Sequence, residues 1–258
     1  MARPNPYDNP VLPLNEQLFK TCSNGTLEEV RSLLDQGADP NAPYFFDWEG
    51  DGNRDIEDYY CIHEAACNSN ISVFDLLLNR GANPLQPNFW GSQPLSYAAK
   101  TSSLEMIRHL VELGNDPDLC NLDGASVLAE AALNPDVKVI EYLMECGAQL
   151  DNGAWDLSEL LQAARYGTPD RVRYFIDRGS SLNLREDCLK DAPIENLRIL
   201  LEAGFDPNVV TDDWRLGDKQ IGHPHPLVDD LDPERRALFI EFGAKPSSAD
   251  GSQGEKPS

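Results

Sequence analysis

Residues 76–84 read LLLNRGANP, and this stretch returns along the chain with its glycine in register. It recurs as LLDQGADPN at 33–41, LVELGNDPD at 110–118, LMECGAQLD at 143–151, FIDRGSSLN at 175–183, LLEAGFDPN at 200–208 and FIEFGAKP at 239–246. The shared glycines are Gly37, Gly81, Gly114, Gly147, Gly179, Gly204 and Gly243, separated by 44, 33, 33, 32, 25 and 39 residues. A period near 33 is the signature of an array of stacked helical units. Each unit in such an array buries its apolar side against its neighbours, and the row offers an extended binding surface. Function is therefore sought first on that surface and only second in a catalytic pocket.

The register extends outward from the glycine. Seven, four and three residues before it stand Val30, Leu33 and Leu34, then Phe74, Leu77 and Leu78, then Ile107, Leu110 and Val111. Ile140, Leu143 and Met144 follow, then Val172, Phe175 and Ile176, then Leu197, Leu200 and Leu201. These i, i+3, i+4 stripes predict one buried face of a short helix, and the glycine beyond each fits a left-handed C-cap. An earlier helix is marked sixteen and fifteen residues before the glycine by Ala65-Ala66, Ala98-Ala99, Ala131-Ala132 and Ala163-Ala164, with Thr21-Cys22 and Cys188-Leu189 in that slot elsewhere. Helix starts are expected at the capping boxes Thr26 to Glu29 and Ser102 to Glu105. Asn134-Pro135, Thr168-Pro169 and Asp232-Pro233 each place a capping side chain before a proline.

These features together resemble the ankyrin-repeat family. Its T-P-L-H-x-A motif is present in degraded form at Tyr60-Cys61-Ile62-His63-Glu64-Ala65 and at Gln93-Pro94-Leu95-Ser96-Tyr97-Ala98, and its G-A-D-x-N ending at Gly37-Ala38-Asp39-Pro40-Asn41. The resemblance covers residues 15–243 and implies an all-α solenoid of about seven helix-turn-helix repeats. It also implies that the connectors project as hairpin-like fingers, which form a concave binding face with the inner helices. The expected organisation is a Pro-rich segment 1–14, a repeat domain 15–244 and a polar, disordered tail 245–258. The last repeat has Arg236 where the others carry an apolar residue, as a capping repeat with a polar outer side requires.

Composition fits a soluble chain, with 25% charged and 41% hydrophobic residues. No apolar run approaches the roughly 20 residues of a membrane helix, and the start has no apolar leader segment. Cys22, Cys61, Cys67, Cys120, Cys146 and Cys188 show no paired metal spacing, so reduced structural thiols in a cytoplasmic or nuclear protein are expected.

The connectors are the irregular part. The first is 11 residues longer than a 33-residue period allows, the fifth is 8 shorter and the sixth is 6 longer. Insertions in a repeat array fall in loops on one face, often the binding face; the short fifth connector is expected to interrupt the row of fingers. All four tryptophans, Trp48, Trp90, Trp155 and Trp214, lie eight to eleven residues past a repeat glycine, at the expected finger tips. Phe89 adjoins Trp90, and Phe45 and Phe46 precede Trp48. Exposed loop aromatics are enriched at binding hot spots. The alternative is that each indole packs on a neighbouring finger. The expectation is that the four project to one side with at least two exposed.

The formal charge is −23, from 44 acidic and 21 basic residues. Acid coincides with the aromatics: Asp47, Glu49 and Asp51 surround Trp48, and Asp212 and Asp213 precede Trp214. This predicts a face that captures a basic segment, with carboxylates steering the encounter and aromatics covering cationic side chains. The bland alternative is a solubilising surface. Direct nucleic-acid binding is excluded as an expectation, because phosphate contacts need a basic patch.

Residues 47–58 place oxygens with the spacing of a calcium loop, but Asp58 stands where a bidentate glutamate belongs and Arg54 where an apolar residue belongs, so no metal site is assigned. His63 falls in the family's turn-tying slot, His109 on the outer side of a second helix, and His223 and His225 before the last repeat. No nucleophile elbow or phosphate loop occurs, and neither a catalytic residue nor a cofactor is assigned. The sequence thus predicts a monomeric scaffold that binds a basic protein or peptide, as an escort or an adaptor. The binding residues would be Phe45, Phe46, Asp47, Trp48, Glu49, Asp51, Phe89, Trp90, Trp155, Asp212, Asp213 and Trp214. A peptide groove would run near Glu64, Lys100, Glu130 and Arg165. The alternative is an enzyme that uses the finger aromatics and carboxylates, or His223 and His225, on a small molecule.

Overall fold

The computed structural model describes residues 11–45, 58–153, 157–184, 189–210, 215–216, 219–220 and 226–247. The chain divides into two compact units, Met1–Glu159 and Leu160–Ser258. The first carries four helix pairs: α1 (Val11–Asn24) with α2 (Leu27–Asp35), α3 (Cys61–Cys67) with α4 (Ile71–Asn79), α5 (Pro94–Thr101) with α6 (Leu104–Glu112), and α7 (Val127–Ala131) with α8 (Val137–Glu145). The first helices pack in a row, α1 on α3, α3 on α5 and α5 on α7. The second unit carries α9 (Glu159–Tyr166), α10 (Pro169–Asp177), α11 (Ile194–Glu202), a 3-10 turn at Leu227–Asp229, and α12 (Pro233–Glu241). The architecture is the all-α repeat array that the glycine period predicts. Helix α1 begins at Val11, four residues before the expected boundary; Pro13 lies in its first turn, where a missing N–H costs no helical hydrogen bond.

Each of the seven glycines stands two residues past a helix end, with φ between 90° and 111°. After α4 the Gly81 N–H donates to Leu78 O (2.9 Å) and the Ala82 N–H to Leu77 O (2.9 Å). This is a Schellman cap, and the other six helix ends repeat both bonds. A Cβ added at Gly81 would meet nothing within 4 Å. The glycine is therefore required by its backbone conformation and not by crowding. The residue after it is buried in every case: Ala38, Ala82, Asn115, Ala148, Ser180, Phe205 and Ala244.

The predicted stripes line the core. Phe74, Leu77, Ile107, Leu110, Ile140, Leu143, Val172 and Phe175 have no exposed surface. The stripe's last member is only half-buried at Leu78, Val111, Met144 and Ile176, and in the first repeat the half-buried member is the middle one, Leu33. Its place is taken by the residue eight before the glycine, with Val73, Met106 and Val139 fully buried. The alanine pairs are closed off as expected, none of the eight being more than 1% exposed.

Two predicted caps serve a different end. Thr26 and Glu29 form the expected capping box, and Asp232 caps α12 through the Glu234 and Arg235 N–H groups. At α6, however, Ser103 is the cap, while Ser102 is buried and bonds back to Ala66 O and Cys67 O (2.9 Å to the latter). At α8 the cap is Asp136, and buried Asn134 donates to Ala99 O (2.8 Å) and Ser102 O (3.0 Å). Asn196 likewise donates to Ala164 O (3.0 Å) and Gly167 O (3.1 Å), and the Arg235 Nε–H donates to Ala192 O (3.0 Å). The C-terminal carbonyls of a helix have no intrahelical partner. At the ends of α3, α5 and α9 the following repeat supplies one, and Arg235 does the same for Ala192 O outside any α-helix, so the side chains tie neighbours together. Asn134→Ala should therefore cost about 1–3 kcal/mol by leaving buried carbonyls unpaired, more than removal of an exposed cap; paired urea titrations of Asn134→Ala and Ser103→Ala measure the difference.

The irregular connectors resolve in two ways. The first insertion is bracketed by β1 (Tyr44–Phe45) and β2 (Asp58–Tyr59), paired antiparallel with Tyr44 opposite Tyr59. The sixth carries β3 (Arg215–Leu216) and β4 (Lys219–Gln220), also antiparallel. The short fifth step differs from the expectation: among the described residues no α-helix lies between Asp177 and Ile194. Leu184, Leu189 and Ala192 are nonetheless buried.

Candidate functional site

Two successive fingers of the first unit are built alike. In the second, Asn88 N–H donates to Ser92 O (3.0 Å), Asn88 Oδ1 accepts from Ser92 N–H (2.8 Å), and Gly91 turns the tip. In the third, Asn121 N–H donates to Ala125 O (3.0 Å), Asn121 Oδ1 accepts from Ala125 N–H (2.9 Å), and Gly124 turns the tip. The fingers are stitched together by Leu122 N–H to Trp90 O (2.8 Å) and by Asn121 Nδ2 to Ser92 Oγ (3.2 Å).

The finger roots are tied to the helices. The His63 Nε2–H donates to Gln86 O (2.9 Å), which fixes the tautomer because a carbonyl can only accept. Burial holds the His63 ring neutral, with its pKa lowered to about 4. Tyr97 lies 4.9 Å from the His63 ring and its hydroxyl accepts from Asn88 Nδ2 (2.7 Å). Asn115 Nδ2 donates to Pro84 O (3.1 Å).

Between the fingers and the first helices lies a cavity of about 270 Å³. Its floor comes from α5, with Ser96, Tyr97 and Lys100; Glu130 of α7 and Cys67 of α3 stand at its sides; Trp90 and Asp123 reach in from the fingers. Burial raises the Glu130 carboxyl above the usual range, and Lys100 pulls the other way. Lys100 and Asp123 are exposed, and among the described residues neither they nor Glu130 form an ion pair. The volume lies at the lower edge of the roughly 300–1,000 Å³ of small-molecule sites.

The predicted site residues fare unevenly. Trp90 is half-buried, edge-on to Phe89 at 5.1 Å, and Phe89 is 45% exposed. Trp90 thus both stiffens its finger and faces the cavity. Phe45 pairs with Asp58 across the β1–β2 ribbon. Phe46, Asp47, Trp48, Glu49, Asp51, Trp155, Asp212, Asp213 and Trp214 lie outside the described residues, as do His223 and His225. The expected projection of four tryptophans to one side, with at least two exposed, therefore falls on three residues outside the described ones, and Trp90, the one described, is half-buried. Of the calcium-like stretch only Asp58 is described, and its Oδ2 accepts from the Tyr60 hydroxyl (2.6 Å). Burial and this carboxylate push the Tyr60 hydroxyl pKa up to about 12. Glu64 bonds to Ser23 Oγ, and His109 Nε2 meets Asp75 Oδ1 at 2.8 Å. Among the described residues no group of three or more His, Cys, Asp or Glu could hold a metal ion, and no helix is long and apolar enough to cross a membrane. Cys22, Cys61, Cys67, Cys120 and Cys146 are free thiols.

The sequence pattern does not single out Asn88, Tyr97, Asn121 or Asp123. The signal for the fingers was available: Asn88 and Asn121 each stand seven residues past a repeat glycine, with Gly91 and Gly124 three further on.

A family model for ankyrin repeats, in three copies, matches residues 62–154 and 95–186. The chain carries ankyrin repeats. Repeats of this kind indicate protein partners for the chain. A curated relative, serine/threonine-protein kinase 12 of Arabidopsis thaliana, is 31% identical over 92 residues, which is 36% of this chain and 18% of the kinase. The shared stretch is thus a small part of that protein, and the ankyrin chain takes no activity from it.

Proposed function

We propose that this ankyrin chain is a protein-binding scaffold whose partner is basic. The observation that carries this reading is the cavity under the second and third fingers. Its walls hold two carboxylates without an ion pair beside Trp90 and Tyr97, in a chain of net charge −23. Carboxylates steer a basic partner from a distance, and aromatics beside them hold it after contact. The acidic stretch around Trp48 and the one before Trp214 would extend the same chemistry along the array. The role that follows is an escort that shields a basic protein before assembly, or an adaptor that positions one. The enzyme alternative has no comparable support.

Affinity capture with the full chain from native extract identifies the partner, and surface kinetics at several salt concentrations then test the mechanism. Neutralising Asp47, Glu49, Asp51, Asp212 and Asp213 should slow association about tenfold at low salt and little at high salt, because exposed charges act within a Debye length of about 8–10 Å. Trp48→Ala or Trp214→Ala should mainly speed dissociation. A partner that binds the neutralised variant equally well at low salt would leave the acidic excess as a solubility feature.

A further inference from the structure

We propose that the 270 Å³ cavity is the seat for one arginine side chain of the bound segment. The inference rests on the scaffold reading above and names what this cavity receives.

Size comes first. The space, about 270 Å³ at the lower edge of the range of ligand sites, is large enough to admit one long side chain. Hydrogen-bonding capacity comes second. Asn88 and Asn121 border the cavity, but both amides are spent inside the fingers, on Tyr97 and Ser92 and on Ser92 and Ala125 respectively. They frame the seat and leave recognition to the charged groups. Those groups are Asp123, Glu130 and Lys100, two carboxylates against one ammonium.

Glu130 is withdrawn from water on α7 with no ion pair to offset the loss of hydration. A cation that enters the cavity supplies that offset. Lys100 supplies only part of it: its charge pulls the Glu130 carboxyl back toward the usual range, but it forms no ion pair among the described residues and its side chain is exposed.

The choice of arginine over lysine follows from the rings. A guanidinium is planar, so it can lie on an aromatic face while its edge donates to two carboxylates; an ammonium is a point charge that cannot do both as well. The chain's own packing places guanidinium groups over tyrosine rings repeatedly. Arg108 lies 4.1 Å above the Tyr142 ring, Arg165 lies 4.7 Å above Tyr166, and Arg178 lies 3.5 Å above Tyr174. Trp90 and Tyr97 offer rings of the same kind in the cavity wall.

The test uses the full chain, isotope-labelled, titrated by NMR with short Gly/Ser peptides that carry one central arginine, lysine, glutamine or glutamate. The arginine peptide should shift the backbone resonances of Trp90, Lys100, Asp123 and Glu130, and should bind more tightly than the lysine peptide. The Glu130→Gln, Asp123→Asn double variant should weaken it about tenfold, the loss expected for charge-assisted pairs in a partly dry site. Lys100→Ala should strengthen it, an outcome that damage to the fold would not give. Equal shifts with the glutamine peptide would reduce the cavity to an aromatic contact and overturn the proposal. Binding of the glutamate peptide that is lost in Lys100→Ala would assign the seat to a carboxylate, and absence of shifts with any peptide would remove it.

The peptide result is independent of the native partner. A captured partner indifferent to the double variant would overturn the seat and leave the scaffold reading standing. Arginine binding by a chain that captures no basic partner would do the reverse.

Discussion

Phe74→Ala is expected to destabilise the first unit by about 3–5 kcal/mol, the loss typical of deleting a fully buried ring. Phe74 has no exposed surface. It sits on α4 and meets the His109 ring of α6 edge-on, at 5.6 Å and 72°. Its ring therefore fills the junction between two successive repeats, where Asp75 also bonds to His109. Repeat arrays derive much of their stability from such nearest-neighbour junctions, so one deletion weakens both the repeat and its neighbour. Against a total of about 5–15 kcal/mol for a typical domain, a loss of this size is severe. Urea denaturation followed by circular dichroism measures it. Leu78→Ala, on the half-buried edge of the same helix, should cost less than half as much. Equal losses at the two positions would show that the stripe does not rank the core as its burial implies.

That ranking bears on how far the fold could be read from the sequence. The repeat glycines were legible because their requirement is local: a helix must end, and the left-handed residue that ends it is nearly always glycine. The stripes were legible for the same reason, since helical period is a short-range property. The caps were less so. Ser102 and Asn134 have the right chemistry for an N-cap, but the same oxygens and amides can serve the preceding repeat's C-terminal carbonyls instead. Only packing decides between the two uses. The fifth step failed in a related way. Its length shows that eight residues are missing but not whether a finger or a helix lost them. Among the described residues that step has no first α-helix, and Leu184, Leu189 and Ala192 are buried there.

The candidate site was legible in its parts and not in its assembly. Trp90 and Phe89 stand out as aromatics in a connector, and Lys100 and Glu130 lie on the faces the repeat directs toward the fingers. Their meeting with Asp123 depends on the curl of the third finger, which Asn121 sets by closing on Ala125. Tyr97 looked like a degraded motif position, yet its hydroxyl links α5 to Asn88 in the second finger. Two-residue contacts across 9 or 29 positions, such as Asn88 to Tyr97 and Asn121 to Ser92, leave no periodic trace.

His63 gives the fold an acid dependence that a single substitution should remove. Its ring is 1% exposed and lies at the base of the first insertion, beside Tyr60 and within the field of Asp58. Nε2 is committed to Gln86 O, and Nδ1 is buried with no hydrogen-bond partner. Burial is the main cause of its lowered pKa, and the bond to Gln86 and the charge of Asp58 only partly oppose it. The folded chain therefore holds His63 neutral down to pH about 4, whereas the unfolded chain protonates it near 6.5. Between those values the unfolded state binds the additional proton. Stability is accordingly unaffected above the unfolded value and falls as pH drops through the window, by up to about 3 kcal/mol in total. Glu130 titrates in the opposite sense, because a carboxyl raised by burial binds its proton more readily in the folded chain. Raw stability curves mix the two, and their difference separates them. Urea titrations of the full chain and of His63→Gln, at intervals from pH 7.5 to 4.5, should give curves that converge toward acid, with the parent losing about 1 kcal/mol per pH unit more than the variant across the middle of the window. Parallel curves would mean that His63 is protonated in the folded chain as easily as in the unfolded one. The tie between α3 and the second finger would then tolerate a charge that its burial should forbid.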